Sequence, residues 1–107
     1  MALRRKPAHL VRHGDVLVSA VESLPTGAEK QRHLVLAEGE MTGHSHRVAE
    51  SGAAELYRVG SEMYLHVVAS VATLVHQEHG PIELPKGVYR VWQQREYSPR
   101  EIRVVRD

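Results

Sequence analysis

Apolar side chains in this chain recur mostly at every second position, and that period constrains the fold more than any other feature. From Ser61 to Ser70 the alternation sets Met63, Leu65 and Val67 on one face and Tyr64, His66 and Val68 on the other. A strand points successive side chains to opposite faces, whereas a helix repeats every 3.6 residues. Both faces of this segment are largely apolar, which places it centrally in a sheet. The same period predicts strands from His9 to Arg12 and from Val16 to Val21, around a Gly14-Asp15 turn. Pro25 and Gly27 break the next stretch into a loop. Further strands are expected over 33–39, 44–50 and 54–60, the last two separated by Ser51-Gly52. A turn near Ser70 to Ala72 splits the apolar segment from a strand over 72–77. Brief pairing over 82–85 and a longer strand over 87–97 follow.

With no Phe and one Trp, the core must be built mainly from Val, Leu and Ala, and β-branched side chains fit a pleated surface. At the C-terminal end, Ser98-Pro99-Arg100-Glu101 matches a helix capping box. The β-branched alternation of Ile102, Val104 and Val105 favours a last strand there instead. No segment is helical at convincing length. Many short strands in 107 residues need a second layer or closure to cover their apolar face. The expectation is an all-β protein, a β-sandwich or barrel such as a small β-barrel or double-stranded β-helix, with residues 1–107 as one domain.

The chain has no Cys, which removes disulfides, thiolate zinc sites, iron–sulfur clusters and cysteine nucleophiles together. No apolar stretch long enough for a signal peptide follows the basic first residues, and none approaches the ~20 residues of a membrane helix. The expectation is a cytoplasmic protein without a membrane partner. A formal net charge of +1 does not announce a nucleic-acid binder. Arginines nevertheless crowd the C-terminal end at Arg90, Arg95, Arg100, Arg103 and Arg106.

The composition is unusual in one respect: 8 of the residues are His. Four fall in two close pairs, His44-Ser45-His46 and His76-Gln77-Glu78-His79. On a strand, residues two apart share a face at roughly 7 Å, so His44 and His46 can converge on one cation. His76 and His79 share a side only if the chain turns at Gln77-Glu78, and Gly80-Pro81 makes a turn there natural. Without thiolates, imidazole nitrogen and carboxylate oxygen are the available ligands. His44, His46, His76 and His79 are therefore the candidate metal ligands, for a divalent ion such as Zn, Fe, Ni or Mn. A hairpin turning about Val71 would bring His66 across from His76 as a reserve ligand. His9, His13 and His33 read as surface or edge residues.

Gly39, His44, His46 and, three residues on, Glu50 resemble the first motif of the cupin superfamily, with one residue missing from the first gap. Gly80, Pro85 and Gly87 resemble its second motif, where Arg90 stands in place of the final histidine. The resemblance implies His44, His46 and Glu50 as ligands. Arg90 has no lone pair to offer, so His76 or His79 would have to substitute. The two histidine segments also look like those of a family of short uncharacterised bacterial proteins.

Two functions of different classes follow. The first is a metal-binding β protein, with Arg90, Arg95 and Tyr89 around a small anionic ligand and Tyr64 or Tyr89 as proton donor. The second is a nucleic-acid or protein interaction module built on the arginines with Trp92 and Tyr97. Metal-free acid–base chemistry by the imidazoles is a third. Gly43-His44-Ser45 is not a nucleophile elbow, and no glycine loop precedes a helix to hold phosphate. Exposed edge strands make a homodimer an expectation as well.

Overall fold

The computed structural model describes residues 10–38 and 44–94. Within them the fold is all-β, without a helix. Eight strands follow in chain order: β1 (Leu10–His13), β2 (Val16–Val21), β3 (Glu29–Lys30), β4 (Val35–Glu38), β5 (Ser45–Val48), β6 (Ala54–Val59), β7 (Glu62–Val75) and β8 (Ile82–Gln93). Every pairing is antiparallel.

The organising element is the long β7–β8 hairpin. Its first half carries β6 and then β3 beside β7, and β2 and then β1 beside β8. Its second half carries β5 and then β4 on the edge of β7 that β6 has left. One continuous sheet thus supplies two layers, β1-β2-β8-β7-β6-β3 and β8-β7-β5-β4. They pack face to face in a sandwich whose sheet stays open rather than closing into a barrel.

The fold-back occurs at a bulged corner. Between paired positions β7 advances from Val67 to Val71 while β8 moves only from Gly87 to Pro85. The extra β7 residues find their partner outside the ladder: the amides of Val68 and Ala69 both donate to the Ala53 carbonyl, at 2.9 and 3.1 Å. Gly87 has φ of 151°, a value costly for any residue with a Cβ. Pro85 lacks an amide hydrogen, and β8 pairs with β2 only from Val88 onward, so no second neighbour asks it for a donor. The bulge also changes which residues face inward. Leu65 and Val67 are fully buried before it, Ala72 and Leu74 after it. These join Val16, Val18, Leu36, Val48, Leu56, Leu84, Tyr89 and Val91 in one hydrophobic cluster drawn from both layers.

The corner corrects two sequence readings. The break in period near Ser70 is a bend within one strand, not a hairpin turn. His66 therefore lies opposite Glu55 and Val88, not His76, and is no reserve ligand. The segments expected separately at 82–85 and from Gly87 onward form one strand, β8. The expected C-terminal strand and the capping-box segment at 98–101 lie outside the described residues.

The change of inward face has a measurable consequence. Leu65→Ala and Leu74→Ala should each cost about 2–5 kcal/mol, as deletions from a closed core do. Val68→Ala, at a half-buried position on the corner, should cost no more than about 1 kcal/mol. Urea denaturation of the three variants checks the order, and equal losses would refute the bulged register.

Candidate metal centre

The fold-back brings together three places that are far apart in the chain. The β1–β2 turn comes from one layer; the start of β5 and the β7–β8 loop come from the other. His13 is the last residue of β1. His44 and His46 flank Ser45 at the start of β5, and His76 and His79 lie in the loop that follows Val75. The chain bends over 77–79, so His76 and His79 share a side, with ring centroids 4.7 Å apart. The five rings are contiguous: His46 lies 4.2 Å from His76, 5.7 Å from His79 and 4.9 Å from His13, and His44 lies 5.7 Å from His76.

Local chemistry makes this approach feasible. His13 pairs with Val16 across a two-residue turn. Gly14 has φ of 64°, and among the described residues none other than glycine has positive φ. That is the pattern of a II′ hairpin turn, which wants glycine at its first central position. Gly14 has a second reason to be glycine. A Cβ there would stand 2.7 Å from His79 Nε2 and 2.9 Å from His46 Cε1. The backbone of the turn is thus pressed against two rings.

His46, His76 and His79 can hold a metal ion: each offers one ligand atom, and these atoms lie within 4.8 Å of one another. His46 is buried, His76 half-buried and His79 exposed, so the group opens to solvent on one side. His44 sits beside it with Nδ1 turned to Glu78 Oε2, 3.4 Å away. Glu78 also donates its amide to His76 Nδ1 at 2.9 Å, so an ion using that nitrogen must displace the amide. Beneath the group, His13 and His46 meet through their Nδ1 atoms at 3.0 Å. His13 Nε2 lies 3.0 Å from the Gly80 carbonyl oxygen, and His46 Nε2 lies 3.3 Å from Asp15 Oδ1.

Crowding and burial favour the neutral form of His46, His13 and His76. Burial, then the neighbouring His76 and His13, push the His46 imidazole down to about 4 against the opposing pull of Asp15. Burial also lowers His13, and burial followed by His79 lowers His76. Neutral imidazole is the form that ligates metal.

Several sequence readings change. His13, expected at the surface, is only 2% exposed and belongs to the cluster. Nothing local in its strand signals this; only the packing of the β1–β2 turn on the opposite layer does. Asp15 likewise read as a turn residue alone. Glu50, the carboxylate of the cupin-like motif, is committed elsewhere: its two oxygens accept from the Thr73 amide and hydroxyl at 2.9 and 2.7 Å. Arg90 lies 3.6 Å from Glu62 and its guanidinium stands 5.0 Å over the Trp92 ring. Tyr89 is buried and donates its hydroxyl to the Pro85 carbonyl. Tyr64 donates to Glu62. His33 is exposed and accepts the Val35 amide. Arg95, Tyr97 and His9 lie outside the described residues.

Fold and site thus define an open, two-layered all-β protein with a histidine cluster where its layers meet. The chain belongs to a family described as a domain of unknown function, DUF8820, whose model matches residues 12–94. That span takes in all five clustered histidines and Asp15. No curated protein and no solved structure matches the chain.

Two outcomes follow from this geometry. The unfolded chain protonates these histidines near their ordinary 6.5, the folded protein nearer 4 at His46. Protons therefore favour unfolding between those values, and metal-free stability should be full above about pH 6.5 and decline as pH falls toward 4. Urea midpoints measured in chelator across that range check this, with a shallower decline in His46→Asn. Gly14→Ala should cost about 1–3 kcal/mol for the left-handed backbone and push the exposed His79 ring aside. Thermal melting and the histidine ring signals in NMR read the two effects.

Proposed function

We propose that this protein binds a divalent transition metal at the histidine cluster, with His46, His76 and His79 as ligands. The observation that carries the reading is the convergence of three ligand atoms within 4.8 Å, from two separate segments of the chain. Around a tetrahedral ion with bonds of about 2.1 Å, ligand nitrogens stand about 3.4 Å apart. Side-chain torsion of the loop residues His76 and His79 can close that difference without moving a strand. The set is rich in borderline nitrogen donors and suits Zn, Fe, Ni or Mn. Exposure of His79 leaves one side of the ion accessible to water or a small anion, and His44 stands next to it. The buried end of the cluster supplies rigidity, because His46 is fixed by His13 and by its place in β5.

The test is metal content and stabilisation together. Purified, tag-free protein should carry or take up close to one equivalent of one of these metals. Free metal at about a hundredfold above Kd should add about 2.7 kcal/mol to the unfolding free energy. His76→Ala combined with His79→Ala, both in the loop and away from the core, should abolish uptake while leaving the metal-free fold intact. Wild-type protein that neither retains nor is stabilised by any of the four ions would overturn the reading.

A further inference from the structure

Beneath the three histidines runs a chain of contacts whose hydrogens can be counted. The Gly80 carbonyl faces His13 Nε2 at 3.0 Å, His13 Nδ1 faces His46 Nδ1 at 3.0 Å, and His46 Nε2 faces Asp15 Oδ1 at 3.3 Å. Both ends of the chain, a carbonyl and a carboxylate, are acceptors only. Each of the three gaps needs one hydrogen, but a neutral imidazole carries just one N–H. Two neutral rings therefore fill two gaps, and one pair of lone pairs is left facing each other.

The geometry says which gap that is. The Gly80 and His13–His46 contacts have hydrogen-bond length and are enclosed, since His13 and His46 are both 2% exposed. The remaining gap, between His46 Nε2 and Asp15 Oδ1, is the longest of the three, and the Asp15 side chain on its far side is half exposed. The other carboxylate oxygen of Asp15 is held by Gln93 Nε2 at 2.7 Å, and the Asp15 carbonyl accepts the Gln94 amide at 2.7 Å. The side chain is therefore aimed by β8 and not free to turn away. Gly14 beside it allows the turn to press against the rings.

Given the metal reading of this cluster, we propose that Asp15 is a further ligand, sharing the cation with His46 Nε2, and that His13 is the positioning residue that reserves that nitrogen. A cation between Nε2 and Oδ1 replaces the missing hydrogen and turns a repulsive pair into two bonds. His13 donates to Gly80 and accepts from His46 Nδ1–H, so the tautomer of His46 is set before metal arrives, as outer partners of metal-bound histidines commonly do. Asp15 stands outside the group whose ligand atoms lie within 4.8 Å of one another, so His76 and His79 must turn toward it; the donor set then becomes three imidazole nitrogens and one carboxylate oxygen. That added hard donor disfavours Cu(I) and suits Zn, Fe or Mn.

Cobalt(II) and zinc(II) are the probes. Wild-type protein should bind both, with a visible cobalt spectrum that reports the ligand set. Asp15→Asn should weaken cobalt binding by about tenfold or more and alter that spectrum. His13→Gln should weaken binding by about 10–100-fold while leaving the spectrum's shape intact, because it removes no ligand. In wild-type protein, 15N NMR of the His46 ring during zinc titration should show Nε2 taking the metal while Nδ1 keeps its hydrogen. This readout does not depend on a variant that must fold. Binding within twofold of wild type and an unchanged spectrum in Asp15→Asn would overturn the assignment while leaving the metal reading standing, as would zinc on His46 Nδ1. Failure of wild-type protein to bind either metal would overturn both.

Discussion

The structure depends on a single long hairpin passing through both layers of the sandwich. β7 and β8 stay hydrogen-bonded to each other on both sides of the bulge at Val67–Val71. Neither layer can slide on the other without breaking that ladder or exposing Leu65, Val67, Ala72 and Leu74. The corner is built from elements unsuited to a flat sheet: a proline, a glycine with φ of 151°, and two amides that share one carbonyl outside the ladder. Each is tolerable because the bend needs it, and bulges of this kind are a recurrent means of turning a sheet back on itself.

The histidine cluster is a product of that closure. Buried polar rings are stable only if their polar atoms are satisfied. Here the enclosed partners come from across the layer boundary: the Gly80 carbonyl for His13 Nε2, and the two Nδ1 atoms of His13 and His46 for each other. Desolvation and the mutual repulsion of imidazolium ions both favour neutral rings. The proposed cation would complete a group of imidazoles that opens on one side beside the Asp15 carboxylate, whose other oxygen accepts from Gln93. The same contacts explain why the β1–β2 turn carries glycine at its tip.

Much of the architecture was legible in the chain. Period-two alternation placed strands at 16–21, 54–60 and, as two pieces at 61–70 and 72–77, along β7, because burial of one face imposes that period directly. The paired spacing of His44 with His46, and the turn that lets His76 and His79 share a side, were also readable, since both are local. The corner was half legible. A loss of period near Ser70 was visible, but a hairpin turn and a bulged bend interrupt the pattern in the same way. Only pairing across β8 distinguishes them, and with that distinction went the placing of His66.

His13, Asp15 and Glu50 mark the boundary of what a linear reading can reach. Glu50 has the spacing of a ligand, yet Thr73 holds both its oxygens; His13 and Asp15 have no spacing to notice and stand at the base of the site. The chain by itself determined the all-β class, the apolar stripes and the two local histidine pairs, because each arises from interactions between near neighbours. The tertiary structure decided which polar side chains meet. That choice depends on how a bent sheet is folded across itself, and the energy of such contacts is realised only once both layers have closed and water has been removed.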